Sequence, residues 1–242
     1  MRYKVTLSYN GLAYKGWQIQ PNHLSVQELV ENALSTALQQ NIKVVGAGRT
    51  DTGVHASYYV AHFDSEVFIE DLSQLVFKCN TLLPKDIAFQ KIEQVKDDFH
   101  ARFDAKHRSY RYQITQNKNP FVINSAYYIK RQLDLDQMNA SCEILKKHQN
   151  FKAFSKVKTN VYTYHCNIFE AEWKLEHNLI CFEIKANRFL RNMVRAIVGT
   201  MIEVGLHTLT LKEFNQIIID QDRRNAGKSV PAHALFLTDI GY

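Results

Sequence analysis

The sequence predicts an α+β fold made of two similar halves. Several segments alternate polar with apolar residues, the period of two that marks a half-buried strand. Other segments repeat apolar residues at spacings of three and four, as amphipathic helices do. No linker rich in Gly, Ser or Pro separates the first series of strands and helices from the second. We therefore expect an N-terminal half at residues 1–105 and a C-terminal half at 106–242, packed as one body with a cleft between them.

The first half begins with a strand and continues with helices and further strands. Apolar residues occupy every second position between Arg2 and Tyr9, which predicts the opening strand. Ser25 stands three residues before Glu28, the spacing of a capping box, and apolar residues follow at helical spacing as far as Leu38. The other predicted elements of this half are strands at 42–45 and 58–63, a helix at 71–82 and a strand at 87–95.

The second half repeats this mixture of strands and helices, again with capping residues and apolar periodicity as the signals. The predicted elements are a strand that starts near Ser109, a helix at 134–148, a hairpin with arms at 169–175 and 179–186 around a turn at His177 and Asn178, a long helix at 189–202, a helix opened by a capping box at Thr210 and Glu213, and a last strand at 234–240.

The composition is that of an ordinary globular protein. Among 242 residues, 45% are hydrophobic, and only 9 are Gly and 4 are Pro, which excludes intrinsic disorder and a collagen-like chain. The net charge of +6 is a mild indication of a polyanionic partner such as a nucleic acid. The amino-terminal segment has no continuous apolar run, so it predicts neither a signal peptide nor a membrane span.

The four cysteines are scattered along the chain without a C-x-x-C pair. This spacing argues against a zinc knuckle and against a redox dithiol, and it predicts buried thiols. Together with the missing signal peptide, it leads us to expect a reducing, cytoplasmic location. The residues are Cys79, Cys142, Cys166 and Cys181.

A loop with three glycines in eight residues follows the predicted strand at 42–45. It reads GAGRTDTGVHA from Gly46 to Ala56, a spacing that indicates tight turns and the close approach of a ligand. Its one carboxylate, Asp51, lies two residues from Arg49 and has two interpretations. It is either a turn aspartate that bonds nearby backbone amides, or an ionised nucleophile or base held by a guanidinium group.

Three arginines form a row on the predicted long helix. Arg188, Arg191 and Arg195 are spaced by three and four residues, which would place them on one side of a helix. No acidic residue occurs between Glu183 and Glu203. A solvated helix face explains such a row, but so do phosphate groups. Arg188 and Arg191 are therefore candidate phosphate contacts.

Residues 99–112 interleave cations with aromatic rings. This mixture suits RNA, because cations meet phosphates and unstacked bases lie on rings. Within the segment, Tyr110 is either a core-facing tyrosine of a strand or a platform for a base. The nearby histidines lack the spacing of a metal site, so we expect no metal. These histidines are His55, His62, His100 and His107.

Four sequence blocks together resemble the TruA family of tRNA pseudouridine synthases. They occur in the family's order and spacing, and the resemblance extends from Tyr3 to Tyr242. The blocks are YNG and GWQxQ within residues 9–20, AGRTDTGVHA at 47–56, FHARF at 99–103 and MVRxIVG at 193–199. The second block is the most specific of the four.

The resemblance implies isomerisation of uridine to pseudouridine in the anticodon stem-loop of tRNA, at the positions conventionally numbered 38, 39 and 40. By motif, Asp51 matches the catalytic aspartate, Tyr110 the ring that stacks on the target uracil, and Arg195 the ion-pair partner of Asp51. Arg49 matches a residue that holds the flipped-out nucleotide. No cofactor is implied.

The family resemblance also implies a particular architecture. The expected fold is a pair of ferredoxin-like halves with joined mixed or antiparallel sheets, helices on one side and a basic cleft between the halves. A homodimer that binds tRNA with both subunits is expected as well.

Two other functions stay open on the residues alone. A non-catalytic tRNA-binding or chaperone module would act through phosphate contacts of the arginines and would not need Asp51. A base-excising glycosidase usually needs two placed carboxylates, whereas the glycine-rich loop offers one.

Overall fold

The structure is a computed structural model that describes residues 1–156 and 161–242. These residues form strands and α-helices in mixed order, which confirms the predicted α+β class. The strands are β1 (Arg2–Tyr9), β2 (Val44–Gly46), β3 (His55–Asp64), β4 (Ile87–Val95), β5 (His107–Thr115), β6 (Tyr127–Tyr128), β7 (Ile168–Glu176), β8 (Leu179–Ala186) and β9 (Leu235–Gly241). The α-helices are α1 (Val26–Leu38), α2 (Leu72–Leu82), α3 (Leu135–Lys146), α4 (Met193–Gly205) and α5 (Leu211–Asp220).

The chain divides into two compact units. The first consists of Met1–Lys106 together with Phe236–Tyr242, and the second of His107–Leu235. The main boundary lies within a residue of the expected division at 105 and 106. The end of the chain differs from the expectation, because β9 pairs in parallel with β3 and so adds to the sheet of the first unit.

The strands of the first unit form a mixed sheet. Its order is β4-β1-β3-β9, and β2 adds to β3. β1 is antiparallel to both β3 and β4. Side chains of β1 are alternately buried and half-buried, as the period of two predicts. The buried ones are Tyr3, Val5, Leu7 and Tyr9, and each stabilises the fold by roughly 1.5–3 kcal/mol.

Side-chain caps begin both helices of the first unit near the predicted positions. The hydroxyl of Ser25 accepts a hydrogen bond from the backbone N–H of Glu28 at the start of α1. The carboxylate of Asp71 accepts one from Gln74 at the start of α2. Each cap satisfies a backbone donor that has no partner inside its helix.

The second unit has an antiparallel sheet in the order β5-β8-β7, with β6 in parallel beside β5. β7 and β8 form the predicted hairpin. Its turn residues His177 and Asn178 have φ values of 48° and 65°, the left-handed conformation that a two-residue hairpin turn requires. A complete capping box between Thr210 and Glu213 begins α5, as predicted.

The long helix of the second unit begins later than the sequence predicts. α4 starts at Met193, because the preceding Asn192 has a left-handed conformation with φ of 66° that a continuous α-helix does not contain. Arg188 and Arg191 therefore lie in the connection between β8 and α4, and only Arg195 is on the helix. The prediction of one helical face carrying all three arginines is wrong.

The four cysteines are free and buried, as predicted. Burial raises the pKa of Cys79 and Cys142 to about 12 and that of Cys166 to about 11. These thiols therefore stay protonated at neutral pH. Within the described ranges, none of the helices combines the length and the hydropathy that a bilayer-spanning segment needs.

The FHARF block packs against a buried histidine. The backbone N–H of Ala101 donates to Nδ1 of His62 on β3 at 3.1 Å, and the hydroxyl of Tyr242 donates to the carbonyl of Ala101 at 2.7 Å. Burial is the main cause that lowers the pKa of His62 to about 4. This imidazole is therefore neutral in the folded protein at neutral pH and serves as an acceptor.

We expect the free energy of unfolding to decrease as the pH falls from about 6.5 towards about 4. The unfolded chain takes up a proton on His62 near the ordinary value, whereas the folded protein does so only near its lowered pKa. Urea unfolding at about pH 7 and about pH 5 measures the loss. In His62→Asn, the amide oxygen keeps an acceptor and removes the titration, so the loss should be smaller. An equal loss in both proteins contradicts the assignment.

Candidate active site

The glycine-rich loop at 46–56 connects β2 to β3, and the two strands it joins are paired with each other. Gly46 of β2 lies opposite Ala61 of β3, and the backbone N–H of Ala47 donates to the carbonyl of Val60 at 2.9 Å. Both ends of the loop are therefore fixed by the sheet, so the position of its middle depends on contacts with neighbouring segments.

Thr50 fastens the middle of the loop. Its hydroxyl oxygen is 2.9 Å from the hydroxyl of Tyr9 and accepts a hydrogen bond from the backbone N–H of Trp17 at 3.1 Å. Thr50 is buried, and a buried hydroxyl with two partners costs about 1–3 kcal/mol to disrupt. The neighbouring Asp51 is thereby attached to a fixed backbone.

An aromatic cluster supports the loop from the core side. The Trp17 ring stacks on Tyr59 with centroids 4.1 Å apart, and Tyr9 lies 5.7 Å from Tyr59 and 6.3 Å from Trp17. The hydroxyl of Tyr59 donates to the carbonyl of Gly48. Gly46 has no space for a side chain, since a Cβ there would lie 2.4 Å from Nε1 of Trp17. The loop is therefore held closely against packed rings.

Asp51 and Arg49 belong to the middle of this loop and are both accessible to solvent. Asp51 is half-buried and Arg49 is exposed. The backbone carbonyl of Asp51 accepts from the N–H of Val54 at 3.1 Å, which closes a turn. Gly53 has φ of 79° in that turn, a value that favours glycine. The loop thus displays one carboxylate and one guanidinium group from a rigid support.

His55 has a packing role that the sequence did not reveal. Its Nδ1 accepts a hydrogen bond from the backbone N–H of Gly11 at 3.1 Å, and its ring stacks on Phe236 with centroids 4.6 Å apart. The side chain is buried. His55 therefore connects the glycine-rich loop to β9 and to the segment after β1, where the YNG block lies.

Tyr110 lies on β5 of the second unit. It is half-buried and pairs with Ile184 of β8, and its ring is perpendicular to that of Phe189 with centroids 5.1 Å apart. Tyr112, two residues further, is fully buried and its hydroxyl donates to the carbonyl of Pro231 at 3.0 Å. The two tyrosines of this strand therefore differ, and the one predicted to stack on a base is the more accessible.

The arginines of the second unit have different environments. Arg195 on α4 donates from Nε to the carbonyl of Val230 at 2.7 Å. Arg188 donates from Nη1 to the carbonyl of Thr163 at 3.2 Å. Arg191 is exposed, and its carbonyl accepts from the backbone N–H of Lys156 at 3.1 Å. Arg195 is therefore on a helix, whereas the other two belong to the loop before it.

The structure brings the predicted site residues together in two groups. Asp51 and Arg49 share the loop of the first unit, while the other four belong to the second unit. Those four are Tyr110, Arg188, Arg191 and Arg195. In the ranges 1–156 and 161–242, no three His, Cys, Asp or Glu side chains are placed to hold a metal ion.

Sequence reasoning missed the residues that support Asp51 and Arg195. Tyr9 and Trp17, which contact Thr50, belong to the first sequence block. Their place in a family motif was the sequence signal that could have indicated them. Val230 lies in an irregular segment without periodicity, and no sequence pattern indicated its bond to Arg195.

Comparison with known proteins places this chain in an enzyme class, the RNA-modifying pseudouridine synthases. The family model described as tRNA pseudouridine synthase matches residues 6–104 and 147–242. The chain belongs to the tRNA pseudouridine synthase family, which confirms the resemblance seen in the sequence. Pseudouridine synthases are isomerases.

Similar proteins cover this chain from end to end. A protein named tRNA pseudouridine synthase A from Parabacteroides distasonis is 49% identical over 241 residues, which are 100% of this chain and 96% of the relative. One of the same name from Bacteroides fragilis is 49% identical and covers 100% and 96% of the two chains. Another from Bacillus licheniformis is 37% identical and covers 100% and 99%.

Proposed function

We propose that this chain isomerises uridine to pseudouridine in the anticodon stem-loop of tRNA, at positions 38, 39 and 40, with Asp51 as the catalytic residue. Family membership and the similarity to tRNA pseudouridine synthase A support the isomerisation of uridine in tRNA. The observation that carries the role of Asp51 is its loop, where a single carboxylate is displayed on a backbone fixed by Thr50.

The reaction balances within the nucleotide. The bond from uracil N1 to ribose C1′ breaks, a bond from C5 to C1′ forms, N1 gains a proton and C5 loses one. Neither the redox state nor the composition changes, so one placed carboxylate is sufficient. Asp51 adds to the base at C6, attacks the sugar at C1′, or removes a ribose proton to give a glycal, and all three routes fit one carboxylate.

The basic residues have distinct proposed roles. Arg195 pairs with Asp51 and keeps it ionised, because a nearby guanidinium group favours the charged carboxylate. Arg49 holds the flipped-out nucleotide, and its exposed position two residues from Asp51 suits that role. Arg188 and Arg191 bind phosphates of the tRNA backbone, which carries the charge they complement.

The target nucleotide must leave its stack before any of these steps, which costs a few kcal/mol. Tyr110 offsets part of this cost by stacking on the uracil. Its position against Phe189 supports this role, because the perpendicular contact between the two rings holds the Tyr110 ring in one orientation.

The proposal also includes the assembly and the location of the enzyme. It acts on tRNA as a homodimer in the cytoplasm.

We expect Tyr110→Ala to lower kcat/KM by about 5- to 150-fold, the equivalent of the 1–3 kcal/mol of one base stack. Tyr110→Phe keeps the ring and should stay within about fivefold of the wild type if stacking is the whole role. Single-turnover assays on an unmodified tRNA transcript measure both. If Tyr110→Phe is as impaired as Tyr110→Ala, the hydroxyl and not the stack carries the function.

The proposed function is tested by incubating the pure protein with unmodified tRNA transcripts and mapping pseudouridine by nucleotide. We expect it at 38, 39 and 40 and nowhere else. Free uracil in the mixture would indicate a glycosidase, and tRNA binding without any modified nucleotide would indicate a binding or chaperone module. Gel filtration with light scattering measures the mass, which should be that of two chains.

A further inference from the structure

The carbonyl group that binds Arg195 lies in a closely fastened loop of the second unit at 226–231, here called the support loop. Gly227 donates from its backbone N–H to the hydroxyl of Thr200 on α4 at 2.9 Å. Gly199 on the same helix lies so close to the loop that a Cβ there would be 1.9 Å from the carbonyl of Lys228. The loop therefore packs directly on the backbone of α4.

Arg223 also fastens the support loop. Its Nη1 donates to the carbonyls of Ala226 and Gly227 at 3.1 and 3.0 Å, and its Nη2 donates to the hydroxyl of Ser229 at 3.0 Å. The half-buried guanidinium group thus donates hydrogen bonds to three uncharged acceptors. Because the group is planar, these bonds fix the loop in one geometry.

Ser229 is hydrogen-bonded to two residues that hold the support loop. Its hydroxyl oxygen accepts from Arg223 and also from Nδ2 of Asn192 at 2.6 Å. A hydroxyl oxygen has two lone pairs, so both are engaged. Asn192 precedes α4 as its N-terminal capping residue, yet in the described structure its side chain does not cap the helix. The side-chain amide of Asn192 instead donates a hydrogen bond to the support loop.

Arg195 binds the support loop at the residue after Ser229. Val230 follows Ser229, and its carbonyl accepts from Nε of Arg195 at 2.7 Å while its backbone N–H donates to the carbonyl of Arg195 at 3.2 Å. The bond to Nε fixes the plane of the guanidinium group, whose other four N–H donors are on the two Nη atoms. If the Val230 carbonyl were displaced, the guanidinium group would therefore rotate with it, and its Nη donors would point in a different direction.

We propose that Asn192 and Ser229 are positioning residues that orient the guanidinium group of Arg195 for the reaction through the Val230 carbonyl. This inference rests on the catalytic role of Arg195 under the proposed function. Two observations support it: the Asn192 amide donates to the support loop instead of capping α4, and the Ser229 hydroxyl accepts two hydrogen bonds.

The first test compares Ser229→Ala with Ser229→Thr in steady-state assays that measure kcat and KM. We expect Ser229→Ala to lower kcat by about tenfold or more, because small displacements of a catalytic group are costly, while KM for tRNA changes little. Ser229→Thr keeps the hydroxyl and should restore most of kcat. Asn192→Gly removes the amide and suits the left-handed backbone, so it should resemble Ser229→Ala. Normal kcat in Ser229→Ala would overturn the proposal.

The second test asks whether Ser229 acts through Arg195. In an Arg195→Lys background the guanidinium group is absent, so adding Ser229→Ala should cause no further loss of kcat. An equal loss in both backgrounds would overturn the proposal. If Arg195→Lys has no measurable turnover, the Ser229→Thr comparison decides, since a loss that threonine does not restore also overturns it.

Two controls separate the possible failures. Thr208→Ala removes an exposed hydroxyl that donates to the carbonyl of Glu203, outside the support loop, and should leave kcat unchanged. Melting temperatures show that each assay is run on folded protein. If Arg195→Lys retains full kcat, the role of Arg195 in the proposed function is wrong. If Arg195→Lys loses activity but Ser229→Ala retains full kcat, only the positioning proposal is wrong.

Discussion

Asp51→Asn should lower pseudouridine formation by about a thousandfold or more while tRNA binding changes little. The substitution keeps the size of the side chain and removes the negative charge, so it removes the nucleophile or base without disturbing the loop. Thr50 and the Tyr59 hydroxyl fasten the backbone near Asp51, so we expect the loop to keep its geometry in the variant. Pseudouridine mapping and filter binding measure the two quantities.

Asp98→Asn is the matched control. It makes the same chemical change at an exposed aspartate of the first unit, and it should leave product formation at the wild-type level. Conversion of uridine by Asp51→Asn at near wild-type rates would show that Asp51 is not catalytic. Loss of tRNA binding by the same variant would assign Asp51 to recognition rather than chemistry.

Gly16→Ala should destabilise the first unit by about 2–4 kcal/mol and reduce turnover. Gly16 has φ of 88°, and a Cβ there would lie 2.2 Å from the backbone carbonyl of Thr50. Both the backbone strain and the steric contact destabilise the folded variant. The contact would also displace Thr50, the residue next to Asp51. Urea unfolding measures the stability, and single-turnover assays measure kcat on the fraction that is folded.

Gly48→Ala provides the comparison for Gly16→Ala. It adds the same methyl group in the glycine-rich loop, where nothing lies within 4 Å of the added carbon. Its free energy of unfolding should change by less than about 1 kcal/mol. If the two variants unfold at the same denaturant concentration, the close approach of Gly16 to Thr50 has no energetic importance.

The sequence predicted most elements because apolar periodicity reports which face of a segment is buried. β1 and β4 have the predicted bounds, and the caps at Ser25, Asp71 and Thr210 begin helices. The start of α4 could not be found in this way. Leu190, three residues before Met193, is also buried, so the apolar pattern continues although Asn192 ends the helical geometry.

The site was predictable to the extent that a motif specifies chemistry. The GRTDTGVH block, read with its family resemblance, indicated Asp51, and the interleaved segment indicated Tyr110. Neither pattern indicated Thr50, Ser229 or Val230 as supports. These residues act through hydrogen bonds to segments distant in the chain, 33 residues away for Thr50 and Trp17 and 37 for Ser229 and Asn192, and no local pattern encodes such a partner.

By itself the sequence determined the family, the α+β class and the burial of the cysteines, and it led to the proposal that Asp51 is the catalytic carboxylate. Only the tertiary structure decided that β9 joins β3 in the first unit, that α4 begins at Met193, and that Arg195 donates to the carbonyl of Val230. The reason is that periodicity and motifs describe a segment and its own neighbours along the chain. Which distant segment lies against it depends on packing and hydrogen-bond partners, which exist only once the chain is folded.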